Sequence, residues 1–385
     1  MTFRAHTIAG VLAQTIPGGA ALHEPEIGGA EKARVDECLR SGWVSTAGPF
    51  VERFEDALAQ YTGANHAIAC VNGTAALHAC LLLAGTRPGD EVIIPSLTFV
   101  ATANAVAYCG ATPHFADSDE DTLGLDPAKL ANHLEDIGHI TKGNCFNRRS
   151  GNRIAAVVCM HAFGHAADLD RLAETCRHYK LPLIEDAAES LGSFYKGRHT
   201  GLDGVLSALS FNGNKIVTSG GGGAILTGGA ELAEKARHLT TTAKKPHPWM
   251  FEHDQVGFNY RLPNINAALG LAQMERLEDF LTRKRRLAMR YKDAFAGVEG
   301  VRFFEEPEDR RSNYWLNVLL LERECAQHRD AALKAANEQG FMARPAWTPM
   351  HMLDMHKDCA RMNLDTAEDI FARLINIPSS PALVS

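Results

Sequence analysis

The sequence predicts an α/β fold. A large domain on a mainly parallel sheet is expected over residues 20–254, and a smaller α+β domain with a long bridging helix over 255–385. Three observations predict it. From 66 to 185, short apolar runs alternate with helix-length stretches, the signature of repeated strand–helix units. From 240 to 254 the chain turns polar and rich in Lys, His and Pro, and the alternation stops. Beyond it, a helical stretch from about 264 to 296 precedes strands (301–304, 313–321) mixed with helices (328–338, 366–374). A chain of 385 residues is long enough for two cores.

The elements follow in order. A short amphipathic helix is expected over 31–39. The turn-like stretch Ser41-Gly42-Trp43-Val44-Ser45-Thr46-Ala47-Gly48-Pro49 comes next, with Pro49 suited to the first turn of a helix reaching Tyr61. Strands are expected over 66–71, 91–94, 112–116, 154–160 and 182–185. Helices are expected over 73–83, 98–109, 127–134 and 169–179. Residues 138–153 are polar and end in basic residues, so they read as an exposed irregular insertion. Two apolar runs then flank residues 207–227, and a helix is expected near 230–238.

Composition narrows the class. With 45% apolar and 22% charged residues the chain is an ordinary globular protein. A net charge of -7 argues against a general nucleic-acid binder. Nine cysteines are scattered without a C-x-x-C pair, which predicts reduced thiols in a cytoplasmic protein and no metal site. No apolar run approaches the roughly 20 residues of a membrane span. The first residues lack the apolar core of a signal peptide. No membrane partner is therefore expected.

The chemistry is read from strand ends, because ligands of such sheets bind beyond the carboxyl ends of the strands. Lys215 lies between two apolar runs, beside Ser210, Asn212 and Asn214, and before the glycines Gly220 to Gly223. A charged side chain there needs a partner or a task. It reads as a covalent anchor for an aldehyde cofactor; a solvated lysine at a hairpin tip is the alternative. Gly73-Thr74 follows a strand and opens a helix, which makes a phosphate cradle, or a simple cap. Asp186 ends an apolar strand and would suit a protonated ring nitrogen. Phe99 follows another strand and could stack on a flat ring. Together these are the contacts that pyridoxal 5′-phosphate requires.

The segments NGTAALHACLLLAG, GDEVIIPSLTFVATANAV, IEDAAESLGSFYKG, SFNGNKIVTSGGGGAILT and GFNYRLPNINAALG closely resemble the sugar aminotransferases of the DegT/DnrJ/EryC1/StrS family. The resemblance runs from about residue 22 to 381. It implies the fold type I aminotransferase architecture, pyridoxal phosphate (PLP/PMP) as cofactor, and a homodimer with shared active sites. Position by position, Lys215 matches the lysine that joins the cofactor, and Asp186 the partner of the ring nitrogen. Phe99 matches the aromatic over the ring. Gly73, Thr74 and Ser210 match phosphate contacts, and Glu189 a position near the ring hydroxyl. Asn259 matches an asparagine that reaches the phosphate from the neighbouring subunit, with Arg261 or Tyr260 able to share that task.

The resemblance also implies the reaction. L-glutamate gives its amino group, Lys215 moves the proton as a neutral amine, and a nucleotide-linked keto sugar receives the amine. Relatives that remove a hydroxyl instead carry histidine in place of the lysine, so Lys215 favours amino transfer. The chain looks most like the branch that aminates C4 of a UDP- or GDP-linked 4-keto-6-deoxy sugar, some of them 2-acetamido sugars on routes to legionaminic-type nonulosonic acids. In the loop 244–249, Lys244, His247 and Trp249 could hold a diphosphate and stack a ring, or form a solvated basic loop. Arg344, Trp347 and His351 are similar candidates in the small domain. A keto-cyclitol acceptor, or a cofactor-binding regulatory protein without turnover, are the competing functions.

Overall fold

A computed structural model of the protein describes residues 4–16 and 18–384. Ser385, the last residue of the expected small domain, lies outside the described residues.

The first seven strands are β1 (His66–Cys70), β2 (Glu91–Pro95), β3 (Thr112–Ala116), β4 (Gly138–Thr141), β5 (Asn144–Asn147), β6 (Arg153–Met160) and β7 (Leu183–Asp186). A short hairpin, β8 (Phe194–Tyr195) and β9 (Arg198–His199), precedes β10 (Leu206–Ser210) and β11 (Gly223–Thr227). The last strands are β12 (Val301–Phe303), β13 (Arg310–Arg311), β14 (Asn317–Leu321), β15 (Arg344–Pro345) and β16 (Leu374–Ile377).

The large sheet runs β1-β11-β10-β7-β6-β2-β3. Strands β3, β2, β6, β7 and β10 pair in parallel, while β11 runs antiparallel to both β10 and β1. The carboxyl ends of β1, β2, β6, β7 and β10 therefore open on the same edge. Residues of β2, β6 and β7 are almost wholly buried, as expected of strands covered on both faces. The helices Gly73–Leu83, Val100–Tyr108 and Ala230–Thr240 supply Ala76, Cys80, Val106 and Ala236 to the core on one face. Pro49–Thr62 and Asn264–Met274 cover part of the other face through Phe54, Leu58, Ala267 and Ala268.

A separate four-stranded antiparallel sheet, β12-β14-β16-β15, carries the C-terminal core. The helix Thr7–Thr15 packs there too, bringing Ile8 and Leu12 against Leu287 and Tyr291. No helix among the described residues is long and apolar enough to cross a membrane.

Two expectations are corrected. The helix expected over 264–296 is two helices, Asn264–Met274 and Leu277–Phe295. The break falls where packing changes: the first is small and apolar and largely buried, the second amphipathic. Arg276, at φ -108 and ψ 0, turns its guanidinium onto Glu26 and Glu31. The segment 138–153 is not irregular either. Strands β4 and β5 form a hairpin that extends the large sheet through β6, and the buried Asn147 donates to Glu91 at 2.9 Å. Its polar composition hid a strand pair whose partners are themselves polar.

Candidate active site

Three backbone features build the floor of a cavity at the open edge of the sheet. After β1, Asn72 caps the next helix, its Oδ1 accepting the N–H of Ala75 at 2.8 Å. That helix begins against the strand pair β10–β11 at very close range. A Cβ at Gly73 would meet Ser210 Cβ at 2.9 Å, and one at Gly223 would meet the Asn72 carbonyl at 2.5 Å. Glycine at 73 and 223 is thus what lets the helix N-terminus lie beside Ser210. A helix N-terminus with hydroxyls at hand suits an anion such as phosphate.

Opposite this floor, Asp186 ends β7 and Lys215 follows β10. The Lys215 Nζ lies 3.2 Å from Glu189 Oε1 and 4.0 Å from the centroid of the Trp315 ring. Trp315 is fixed in turn by its Nε1, which donates to the Asn214 carbonyl at 2.8 Å. Glu189 also accepts the backbone N–H of Phe163, at 2.9 Å. Burial pushes the Glu189 carboxyl up to about 7, with the Lys215 charge pulling it back down. Burial raises Asp186 as well, against hydrogen bonds from Thr102 and the Ala188 N–H that favour its ionised form.

These groups line one cavity of about 290 Å³. It brings together seven of the residues singled out in the sequence: Gly73, Thr74, Phe99, Asp186, Glu189, Ser210 and Lys215. Trp347 joins them from the small sheet's side. Its ring stacks on Phe163 at 4.5 Å and 12° and meets Phe99 edge-on at 6.4 Å. Phe163 holds φ 57 and ψ 14, a left-handed conformation uncommon for a bulky side chain.

The other candidates lie elsewhere. Arg344 turns to Asn337 and the Ala343 carbonyl, each at 3.0 Å. His351 is held between Ser96 at 2.7 Å and Glu368 at 3.0 Å. Both are engaged by neighbours of their own and do not line the cavity. Lys244, His247 and Trp249 sit on an arm closed by the bridge Lys244–His253, away from the cavity lining of this chain. Lys244 packs over Phe251 and His247 against Trp249. Asn259 is exposed, its Oδ1 accepting from Arg261.

Sequence reasoning passed over Trp315 and Phe163. Both carried only the signal of a core aromatic, because their role depends on contacts made across the fold.

The arrangement has known counterparts. The model of the DegT/DnrJ/EryC1/StrS aminotransferase family matches residues 25–385. EpsN of Bacillus subtilis (strain 168), whose name assigns it to the pyridoxal phosphate-dependent aminotransferases, is 38% identical over 93% of this chain and 90% of its own. A GDP-perosamine synthase of Caulobacter vibrioides is 38% identical over 93% of this chain and 92% of its own. The crystal structure of the aminotransferase TlmJ from Streptoalloteichus hindustanus superposes with a TM-score of 0.84 at 30% identity, covering 95% of this chain and 94% of that one.

Proposed function

The chain belongs to the DegT/DnrJ/EryC1/StrS aminotransferase family, and we propose that it moves an amino group from L-glutamate to C4 of a nucleotide-linked 4-keto-6-deoxy sugar. It is a pyridoxal phosphate-dependent aminotransferase. The observation that supports the site assignment most is the convergence of five strand ends on one cavity holding an amine, a carboxylate and a helix N-terminus.

The residues present fit the cofactor. Gly73, Thr74 and Ser210 would hold its phosphate, Phe99 its ring face, Asp186 its ring nitrogen and Glu189 its ring hydroxyl. When bound, the cofactor supplies an aldehyde carbon that carries the amino group and a ring that takes up an electron pair. Lys215 anchors it between turnovers and is the group that moves the proton while substrate is present. It must be neutral to take a proton. Glu189, 3.2 Å away and poised near neutrality, is placed to exchange charge with it. Asp186, held ionised, stabilises positive charge on the ring nitrogen.

For the acceptor, the name of the perosamine synthase relative favours a GDP-linked sugar. Trp347, stacked on Phe163, offers a flat apolar face to the sugar ring. The arm bearing Lys244, His247 and Trp249 belongs to a homodimer in this reading. Trp249 is 76% and Phe251 79% exposed, more than a solitary chain keeps on an ordered loop, and Asn259 faces outward beside them. A second copy would cover the arm and receive Asn259 at its own site.

The test is turnover with L-glutamate against a panel of GDP- and UDP-linked 4-keto-6-deoxy sugars and keto-cyclitols. Amination of a nucleotide sugar at C4 is expected. Amination of the cyclitols alone would overturn the proposed acceptor.

A further inference from the structure

Asp186 does not stand alone at the cavity wall. Its Oδ2 accepts the hydroxyl of Thr102 at 2.7 Å, and its Oδ1 the N–H of Ala188 at 3.2 Å. Thr102 Oγ1 lies 2.9 Å from Thr98 Oγ1, and Thr98 Oγ1 lies 2.9 Å from Met160 Sδ. Both threonines are fully buried and neither lines the cavity. They follow β2, whereas Asp186 ends β7, so the contact spans β6 between them.

The direction of the protons along this row matters. Each hydroxyl has one proton to give. An ionised carboxylate only accepts, so Thr102 donates to Asp186 and Thr98 donates to Thr102. A protonated Asp186 would reverse the row, and the last proton would fall on the Met160 sulfur, a weak acceptor. The row is therefore better satisfied when Asp186 is ionised. A hydrogen bond to a charged acceptor in a dry site is also among the stronger kinds.

We propose that Thr102, backed by Thr98, is a positioning residue that holds Asp186 ionised and aimed for a cationic ring nitrogen. The proposal rests on Asp186 being the partner of the cofactor ring.

The experiment is the dissociation constant of pyridoxal phosphate, read by fluorescence titration of the apoprotein, for Thr102→Val, Thr102→Ser and Asp186→Asn beside the parent. Thermal unfolding of each apoprotein is recorded in parallel. Thr102→Val keeps the shape and loses the donor, and is expected to weaken binding about tenfold or more with little change in unfolding. Thr102→Ser restores the hydroxyl and is expected to bind within about twofold of the parent. Thr102→Val binding as the parent does, or Thr102→Ser binding as weakly as Thr102→Val, overturns the proposal. Should Thr102→Val not fold, Thr98→Val is expected to weaken binding about threefold, and parental affinity there overturns it equally. Parental affinity in Asp186→Asn would sink the reading of Asp186 itself, which separates the two failures.

Discussion

The Nζ of Lys215 lies 3.2 Å from Oε1 of Glu189. The second oxygen of that carboxylate takes the N–H of Phe163, and the Phe163 ring carries Trp347. One buried acid thus joins the candidate cofactor lysine to the aromatic wall of the cavity. The predictions below follow from this and from the packing beneath it.

The first concerns pH. The folded-state pKa of Glu189 is pushed up to about 7 from 4.5, so folding favours its protonated form. Its contribution to stability is present in full below pH 4.5 and is lost as pH rises through about 7. Urea unfolding of the apoprotein at pH 5 and pH 8 should show a loss that Glu189→Gln removes, up to roughly 3 kcal/mol. The same pH slope in both proteins would contradict the assignment.

The four glycines should not be equivalent. A Cβ at Gly221 meets nothing within 4 Å, whereas one at Gly223 meets backbone of Asn72 and Gly73 at 2.5 and 2.6 Å. Gly223→Ala is expected to cost about 1–3 kcal/mol, because backbone must shift. It should also weaken cofactor binding, since the displaced backbone leads into Thr74. Gly221→Ala should leave both unchanged. Denaturant unfolding and cofactor titration of the pair check this; equal effects would refute it.

Trp347 and Phe163 should act as one wall. Trp347→Ala is expected to lower kcat/KM for the sugar acceptor about tenfold, the worth of an aromatic contact. Phe163→Ala should cost a similar amount, and the double variant little more than either alone, because the rings are stacked on each other. Full additivity in that double-mutant cycle would show that the two rings work separately.

Much of this was legible in the sequence. The alternation from 66 to 185 gives the parallel sheet, and the strand-end rule points to Asp186, Phe99, Gly73 and Thr74 before any coordinates are seen. Glycines around Lys215 marked close packing, though only Gly223 among the four meets main chain of the neighbouring helix start. What stayed hidden depends on contacts between distant segments. Nothing local distinguishes Trp315 from a core tryptophan, yet its ring faces Lys215. Arg344 and His351 carry side chains that suit a phosphate or sugar, but Asn337, Ser96 and Glu368 occupy them. The hairpin β4–β5 was obscured because its pairing partners, rather than an apolar pattern, define it.

The most direct test of the account is which lysine carries the cofactor. The holoenzyme is reduced with borohydride, digested, and its peptides weighed by mass spectrometry. The account predicts the added pyridoxyl mass on Lys215, its loss in Lys215→Ala, and no amino transfer by that variant. Label on another lysine such as the buried Lys284, or amino transfer retained without Lys215, would contradict it.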